Sequence, residues 1–386
     1  MANNNNNKTL NVPNKRFPEF IGEWKKCKLG DVANLTKGIG ISKDQRSPKG
    51  NPCILYGELY TTYKSEMITD IVSKTNIDSA NLVKSRYNDV IIPASGETAI
   101  DISTARCVQY NDVLLGGDLN IIRLNDGNDG SFFSYQLNGV RKRDIAKVAQ
   151  GVSVVHLYGE NLKAIKVNSP ELAEQNKISS LLCLIDQRIS TQNKIIEDFK
   201  KLKSAIVEKI LFSICEAPSI FLGSIAYITN GNGDVQDANL TKQEGWYPFF
   251  DRSEEIKWFP SYSFDKEAII YAGEGQSFSP RYYKGKFALH QRCYAIIDFD
   301  KRALPRYCYH YMNTMNSYFV KKAVGSTVPS LRMDTFEKAK IRIPSLVEQK
   351  RICTIIDSLC SKIELEYSLL YQIESLKSYL LQQMFI

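Results

Sequence analysis

Two stretches of the chain have residue types that could serve catalysis, and both depart from the motifs that catalysis requires. Tyr271–Gly275 reads Tyr-Ala-Gly-Glu-Gly, the shape of the turn that holds S-adenosylmethionine in methyltransferases, but no Asn/Asp-Pro-Pro-aromatic tetrad accompanies it. Asp251, Glu255 and Lys257 are the residue types that bind a divalent ion and a scissile phosphate in metal-dependent nucleases. The aspartate lies only four residues before the glutamate, however, which is too close for that motif. We therefore interpret the first stretch as a glycine-rich strand end and assign neither a catalytic role.

The rest of the sequence contains no further catalytic or metal-binding pattern. It lacks the Gly-x-x-x-x-Gly-Lys-Ser/Thr loop that binds phosphates. Its nine cysteines are far apart, without Cys-x-x-Cys pairs or Cys/His ligand spacing, which is typical of reduced thiols in a cytosolic protein. Three histidines fit neither a catalytic triad nor a metal site: His156, His290 and His310. We expect no catalytic residue and no metal in this chain.

Polar and aromatic side chains cluster at matching places in the two halves of the sequence. In the major groove of DNA, Arg binds the edge of guanine, Asn or Gln binds adenine, and carboxylates bind cytosine. A protein that recognises a base sequence therefore needs this mixture of residue types on exposed loops. In the first half the candidates are Tyr56, Glu58, Tyr60, Ser95, Glu97, Gln150 and His156, together with the Gly117–Asn120 turn. In the second half they are Asn232, Asp251, Arg252, Ser253, Glu274, Gln276, His290, Gln291 and Arg292.

Basic residues close to these loops could contact a phosphate backbone. They are Lys37, Lys43, Arg46 and Lys49 in the first half, and Arg281, Lys284 and Lys286 in the second, where Tyr282 and Tyr283 interleave the charges. For any one of them a solvated surface side chain is the simpler interpretation, so the argument depends on the set. The net charge of +8 permits a polyanionic partner but does not require one. No apolar run approaches the roughly 20 residues that span a bilayer, and we expect no membrane association.

The elements that would position these loops occur twice. Residues 150–212 match residues 324–386 without a gap at an offset of 174 positions. Gly151 falls on Gly325, Leu157 on Leu331, and the Pro-x-Leu-x-Glu-Gln segment that begins at Pro170 answers a similar one at Pro344. A gapless match of this length indicates internal duplication.

Each copy continues as a long amphipathic helix that begins at its proline. Apolar residues recur at alternating steps of three and four, the seam of a coiled coil, and ~40 residues at ~1.5 Å each give a helix of about 60 Å. The two helices of one chain are predicted to pack on each other through Ile178, Leu182, Ile185, Ile189, Ile196, Phe199, Ile352, Ile356, Leu359, Ile363, Leu370 and Ile373. Apolar residues also lie beside this seam, at Leu181, Ile195 and Ile355, and could contact the globular regions or other subunits.

Short apolar runs separated by Gly, Asn, Asp and Pro predict two mainly β regions. They start alike, at Leu29-Gly30-Asp31-Val32-Ala33 and Leu222-Gly223-Ser224-Ile225-Ala226, while their interiors differ. The predicted fold class is α+β, with two mainly β domains separated by two long antiparallel helices in a pseudo-twofold internal repeat. We place an N-terminal arm at 1–27, whose Asn-rich first part, to about Asn11, should be disordered. The domains follow at 28–168 and 214–342, with helical spacers at 169–213 and 343–386.

Three sets of residues resemble the specificity (S) subunit of type I restriction-modification systems, over nearly the whole chain from about Arg16. These are the duplicated domain starts, the glycine loops that lead to Leu157 and Leu331, and the Pro-x-Leu-x-Glu-Gln helix starts, which are the most specific. Both helix starts depart from the proline-richer pattern of the family, reading Asn-Ser-Pro-Glu-Leu and Ile-Pro-Ser-Leu-Val.

The resemblance implies two target recognition domains, each of which reads one half of a bipartite site in double-stranded DNA. It further implies that the helices set the spacing and dock two methyltransferase (M) subunits, which two restriction (R) subunits would join in the cytoplasm. S-adenosylmethionine, ATP and magnesium would then belong to partner chains, with no cofactor in this one. Two alternatives stay open: a coiled-coil adaptor whose β domains bind proteins, and the specificity subunit of a type IIB-like or orphan methylation system.

Overall fold

The computed structural model describes residues 10–78 and 80–386, and its contacts divide the chain into two units. Unit 1 comprises the residues up to Lys194 together with Tyr367–Ile386, and unit 2 comprises Ile195–Glu366. Each unit therefore contains one globular region and a part of each long helix. Most of the Asn-rich stretch that was predicted to be disordered lies outside the described residues. Asn11 at its end is described, and its amide donates to the Trp24 carbonyl oxygen at 2.6 Å.

The globular region of unit 1 is built from short strands around a five-stranded sheet. The hydrogen-bonded order of that sheet is β2-β10-β6-β8-β4, beside a three-stranded sheet β5-β3-β9 and the pairs β1-β12 and β7-β11. The elements are β1 (Lys25–Lys28), α1 (Leu29–Val32), β2 (Ala33–Lys37), β3 (Arg46–Ile54), α2 (Glu58–Thr61), β4 (Met67–Ile68), β5 (Ser73–Thr75), β6 (Val90–Pro93), β7 (Ser95–Gly96), β8 (Arg106–Val108), β9 (Leu114–Leu115), β10 (Leu119–Leu124), α3 (Gly130–Asn138), α4 (Lys142–Val148), β11 (Val155–His156), α5 (Gly159–Lys163) and β12 (Lys166–Ser169), followed by the long helix α6 (Leu172–Ser213).

Unit 2 repeats the central part of this sheet with longer strands. Its six-stranded sheet has the order β14-β19-β17-β18-β15-β16, and β13 pairs with β20. The elements are β13 (Ser219–Phe221), β14 (Tyr227–Asn230), β15 (Tyr247–Phe250), β16 (Lys257–Phe259), β17 (Phe264–Ala272), β18 (Arg281–Leu289), β19 (Cys293–Ile297), α7 (Pro305–Met312), α8 (Asn316–Lys322), α9 (Met333–Glu337) and β20 (Lys340–Arg342), followed by the long helix α10 (Leu346–Gln383).

The two sheets share one topology over their first five strands. In each, three antiparallel strands lead to a fourth (β8 or β18), whose next neighbour is parallel to it (β4 or β15). The closing pairs correspond as well, since Cys27 faces Val167 in one and Ile220 faces Ile341 in the other. The α+β class and the internal repeat that the sequence predicts are therefore confirmed. The closing pairs end close to the predicted domain limits at 28, 168 and 342.

The two long helices run antiparallel within each unit. In unit 1 the start of α6 packs with the end of α10, because Ile178 and Leu182 share a core with Met384 and Phe385. In unit 2 the end of α6 packs with the start of α10, as Ile210 and Ile352 share a core. The predicted interface residues Ile178, Leu182, Ile196, Ile352 and Ile356 are buried, whereas Ile185, Ile189, Phe199, Leu359, Ile363, Leu370 and Ile373 are half-buried.

A buried glutamine attaches each globular region to its long helix. Gln175 accepts a hydrogen bond from the Asp129 N–H at 2.9 Å and donates to the Pro170 carbonyl at 2.9 Å. Gln349 accepts from the Leu304 N–H at 2.8 Å and donates to the Pro344 carbonyl at 2.9 Å. Asp129 and Leu304 are the N-cap residues of α3 and α7. The glutamine of the repeated Glu-Gln pair therefore ties the start of a domain helix to the start of a long helix in both copies.

In unit 1 a buried charge cluster forms a second link between the globular region and the long helices. Lys377 of α10 lies 2.6 Å from Glu66 Oε2 and 2.6 Å from Asp186 Oδ1 of α6. The Tyr135 hydroxyl donates to the other oxygen of Asp186 at 2.7 Å. Burial alone would lower the pKa of Lys377, but the two carboxylates outweigh it and raise that pKa, so the lysine remains charged. The globular region of unit 1 is thereby fixed to both helices.

The N-terminal arm belongs to the core of unit 1. Trp24 is buried and packs edge-on against Phe132 and Phe385. Arg16 forms a bidentate ion pair with the buried Glu174 through two contacts of 2.7 Å. The glutamate of the repeated Glu-Gln pair thus attaches the N-terminal arm in unit 1, whereas Glu348 in unit 2 pairs with the exposed Arg351 on its own helix.

Across the described part of the chain, no helix is long and apolar enough to cross a membrane. The nine cysteines are all free thiols.

Candidate nucleic-acid interface

Polar loops of each unit meet at one edge of its main sheet, which we call the polar edge. In unit 1 the end of β2, the end of β6 and the start of β10 lie side by side, because Asn120 faces both Lys37 and Ile92. In unit 2 the end of β14, the end of β17 and the start of β19 do the same, because Tyr294 faces both Asn230 and Tyr271. Loops that are far apart in the sequence are therefore neighbours at this edge.

The polar edge of unit 2 forms an open cleft of about 570 Å³. Seven of the predicted residues line it: Asp251, Arg252, Ser253, Glu274, His290, Gln291 and Arg292. The sequence missed Asp234 and Gln236 of the preceding loop, which also line it, and assigned Lys257 only to a rejected nuclease motif. The loop's succession of Asn, Gly and Asp residues is the signal that could have drawn attention to it.

Several side chains of the cleft hold one another in place. Asp251 is buried, and its carboxylate accepts hydrogen bonds from the Lys257 ammonium at 2.6 Å and the Ser253 hydroxyl at 2.6 Å. Burial would raise the pKa of Asp251, but these donors hold it below its usual range. These contacts position the Asp251 side chain within the cleft, and its predicted base contact stays a prediction. Arg292 is exposed and pairs with Glu274 at 3.0 Å, so both keep polar atoms at the cleft surface.

Other side chains of the cleft have polar groups that no residue of the described chain satisfies. The Arg252 guanidinium and the Gln291 and Gln236 amides are exposed and make no side-chain hydrogen bond within residues 10–78 and 80–386. Arginine and glutamine are the residue types that bind guanine and adenine edges in pairs of hydrogen bonds. The cleft can therefore bind the edges of both guanine and adenine without breaking a hydrogen bond within the protein.

The remaining predictions in unit 2 lie outside the cleft. The Tyr282 ring lies 4.5 Å from the Arg306 guanidinium of α7, and its hydroxyl donates to Glu267; its predicted DNA contact stays a prediction. Tyr283 packs against Phe250. Asn232 accepts a hydrogen bond from Ser263 at 2.7 Å. Arg281 donates to the Ser253 carbonyl, whereas Lys284 and Gln276 are exposed.

The polar edge of unit 1 brings together a different set. His156 pairs with Ser95 across β11 and β7 and forms a bridge with Gln150. The His156 ring stacks on Tyr158 with centroids 6.3 Å apart, and the Lys37 ammonium lies 5.9 Å from the centre of the Tyr158 ring. Tyr158 is an exposed residue that the sequence reasoning missed. Ser95 itself is buried, and its predicted contact with DNA stays a prediction.

The other predictions in unit 1 surround helix α2. Glu58 is only 6% exposed and accepts hydrogen bonds from the Leu55 N–H at 3.0 Å and from Ser73, contacts that stabilise the start of α2. Arg46 lies 3.8 Å from it and remains exposed, as does Lys43. Burial raises the pKa of Tyr60, and the neighbouring Tyr56 and Glu97 add to that rise. Tyr56 and Tyr60 are half-buried and Glu97 is exposed.

Metal chemistry has no evident site in what the structure describes: no group of three or more His, Cys, Asp or Glu side chains is placed to hold an ion. The candidate site is instead a pair of surfaces with hydrogen-bonding groups, aromatic rings and lysines.

Comparisons with known proteins agree on one family. The family model described as "Type I restriction modification DNA specificity domain" matches residues 21–201 and 218–375. The specificity subunit of the type I restriction enzyme EcoDI from Escherichia coli is 30% identical over 155 residues, 40% of this chain and 34% of that protein. The specificity subunit of the type I restriction enzyme MjaVIII from Methanocaldococcus jannaschii is 21% identical over 94% of this chain and 91% of that protein. The chain thus aligns with about a third of the first relative's length and nearly all of the second's.

Solved structures share the fold. The S subunit of a type I restriction-modification system from M. genitalium superposes with a TM-score of 0.66 at 17% identity, covering 97% of this chain and 99% of that one. A chain from a structure concerned with complex assembly and conformational transition of the type I R-M system gives 0.57 at 14% identity, covering 96% of this chain and 99% of that one. At such identities the likeness is one of fold.

Proposed function

The chain belongs to the type I restriction modification DNA specificity family, and we propose that it recognises a bipartite site in double-stranded DNA, with each unit reading one half. One observation carries this proposal: two sheets of the same topology present different side chains at the same edge. Two domains that share a backbone topology but differ in the side chains at one edge are suited to recognise two different base sequences. Unit 1 offers Lys37, Gln150 and His156, whereas unit 2 offers Arg252 and Gln291 in a cleft.

Phosphate and base contacts are assigned to different residues within this proposal. Exposed lysines and arginines such as Lys43, Arg46 and Lys284 meet the sugar-phosphate backbone and fix the orientation of the duplex. Arg252, Gln236 and Gln291 meet base edges.

The long helices are proposed to hold the two readers at a fixed separation and to dock two M subunits, with two R subunits joining in the cytoplasm. Exposed apolar side chains on the helices support a docking role, among them Leu184, Tyr367, Tyr371, Leu376 and Tyr379. The solved relative from a study of complex assembly is described as part of the type I R-M system, and we extend such an assembly to this chain. Methylation, ATP use and magnesium binding are then assigned to the partner chains, so that this chain is not an enzyme.

An exchange of domains tests the proposal. Replacing residues 29–150 with those of a relative should change one half of the methylated motif in the host and leave the other half and the gap intact. A strain that lacks the gene should lose that motif entirely. An unchanged methylome in that strain, with active M subunits, would refute DNA recognition and favour the protein-binding adaptor. A change in both halves would refute independent readers.

A further inference from the structure

Each unit carries the same seven-residue hairpin, Gln150–His156 in unit 1 and Val324–Ser330 in unit 2, which we call the repeat hairpins. Reciprocal backbone hydrogen bonds close both: 2.9 and 2.7 Å between Gln150 and His156, and 2.9 Å each way between Val324 and Ser330. The second residue is a glycine with φ of +120° or +111°. A Cβ on Gly151 would lie 2.1 Å from the Val154 carbonyl oxygen, so the turn requires glycine in that hairpin.

Both repeat hairpins stand at the polar edge. Leu157, directly after the first, donates its N–H to the Ala94 carbonyl at 2.8 Å, and Leu331, directly after the second, donates to the Gly273 carbonyl at 2.7 Å. Ala94 and Gly273 follow the last residues of β6 and β17. The hairpins are therefore fastened to the same place in both sheets, next to the candidate reading residues.

Packing explains some of the residues that the two hairpin regions share, but not all of them. Leu157 and Leu331 are buried, which accounts for their identity. Val154 and Val328 are also identical, yet they are 53% and 49% exposed. Ser153 and Thr327 both place an exposed hydroxyl at the tip. Lys147 and Lys321, in the last turns of α4 and α8 just before the hairpins, are identical and exposed as well.

The backbone of the hairpin tips is also available to a ligand. Over residues 151–154 and 325–328, the N–H groups donate to no acceptor within the part of the chain that the structure describes. Exposed N–H groups, a hydroxyl and a lysine are donors that suit phosphate oxygens, and a small apolar side chain suits deoxyribose. The same small set of groups is offered twice.

We propose that the tips of the repeat hairpins, residues 151–154 and 325–328, bind the sugar-phosphate backbone, one in each half-site, and carry no base specificity. This inference rests on the proposed function. Two half-sites of different sequence have only their backbone in common, so a contact kept in both units must meet that backbone, while residues that read bases must differ. The polar edge is where the hairpins and the base-reading candidates lie together, which favours DNA over a protein partner as the occupant.

Removal of the two shared lysines tests the inference in the full-length chain. Binding of Lys147→Ala/Lys321→Ala is measured by fluorescence anisotropy over a range of salt concentrations, with one duplex that carries the methylated motif and one that does not. We expect affinity for both duplexes to fall by the same factor, and the slope of log K against log salt to decrease by about 1.8, or ~0.9 for each lost phosphate contact. The methylated motif in the host should not change.

Lys163→Ala/Lys338→Ala is the matched control, because it removes the same two charges, one from each unit, at lysines that lie at the ends of the short helices α5 and α9. These lysines lie by the domain starts, where Gly30 and Gly223 contact the ends of α5 and α9, and away from the polar edge. The control should keep the wild-type salt slope. Thermal unfolding of both variants verifies that each is folded.

Three results would overturn the inference. A changed base in the methylated motif would make the hairpins base readers. Normal DNA binding with loss of M-subunit association would make them a protein-docking surface. An equal loss of DNA affinity in Lys147→Ala/Lys321→Ala and in the control would mean that only the general positive charge of the surface matters. If the wild-type chain itself does not distinguish the two duplexes, the proposed function fails instead.

Discussion

His310 and Gln136 occupy equivalent positions of the two copies. Both are buried polar side chains, but they form different kinds of hydrogen bond. Gln136 is buried and exchanges hydrogen bonds with the backbone of Asn168 at 2.7 and 3.0 Å. His310 is buried too, but its Nε2 lies 2.8 Å from the Asp357 carboxylate, which also accepts from Arg306 at 2.7 Å. Burial lowers the pKa of His310 and outweighs the opposing effect of Asp357. Unit 2 thus contains a titratable group where unit 1 has none.

This difference predicts that acid weakens unit 2 selectively. Because the folded pKa of His310 lies below its ordinary value of 6.5, the unfolded chain binds a proton that the folded chain does not, and stability falls as pH decreases through about 6.5. Hydrogen exchange of α7, taken relative to α3 in the same sample to cancel the intrinsic pH effect, should speed up between pH 7 and 5.5. His310→Gln should remove that change. The same pH response in His310→Gln would assign it to another group.

At the scale of residues, the sequence predicted which loops lie together better than it predicted which side chains are exposed in them. Seven predicted residues do line one cleft, because they follow strand ends that meet at one sheet edge. Glu58, Ser95 and Asp251 lie in the predicted loops but are buried. Whether a polar loop residue faces a ligand or its own domain depends on partners such as Ser73 and Lys257, and single-sequence patterns do not reveal those pairs.

At the scale of elements, the helices were the most predictable part of the chain. The periodic pattern placed their starts at Pro170 and Pro344 with a length of about 40 residues, and α6 and α10 have 42 and 38 residues. The strands were less predictable. In the long β17–β18 hairpin, apolar runs cover only Ala268–Ala272 and Phe287–Leu289, whereas Lys266, Lys284 and Lys286 are exposed.

Burial along α6 predicts a graded response to truncation. Leu182 is 0% exposed, so Leu182→Ala should destabilise unit 1 by about 2–5 kcal/mol through lost burial and a cavity. Leu202 fits the same three-and-four pattern but is 47% exposed, and Leu202→Ala should cost no more than about 0.5 kcal/mol. Urea unfolding of both variants measures the difference.

A charge at the half-buried Leu359 should be milder than one at the buried Ile356, and equal costs would contradict the burial pattern.

At the scale of the whole molecule, contacts divide the chain into two units that each contain a part of both long helices. Contacts split both long helices, between Lys194 and Ile195 and between Glu366 and Tyr367, so each half-helix belongs to a globular region. The attachments explain this division: Gln175 and Lys377 tie helix segments to unit 1, and Gln349 and Asp357 tie others to unit 2. Apolar periodicity reveals that a helix exists but not where buried polar side chains bind it.

These division points are where the proposed spacing function can be altered with least damage to either unit. One heptad inserted after Lys194 and another after Glu366 would add about 10.5 Å at ~1.5 Å per residue. Seven residues shift the phase of the helix face by only ~20°, which preserves the apolar interface. At ~3.4 Å per base pair, the gap in the methylated motif should lengthen by about three base pairs while both half-sites stay the same.

A heptad in only one helix is the matched control for this change. It shifts the partner helices out of register, so it should abolish methylation of the motif without creating a longer one. Sequencing of host DNA methylation reads both outcomes. An unchanged gap with the double insertion would mean that DNA bending or flexible helices set the spacing. A longer gap would require that the separation of the two readers follows helix length, because neither polar edge has been altered.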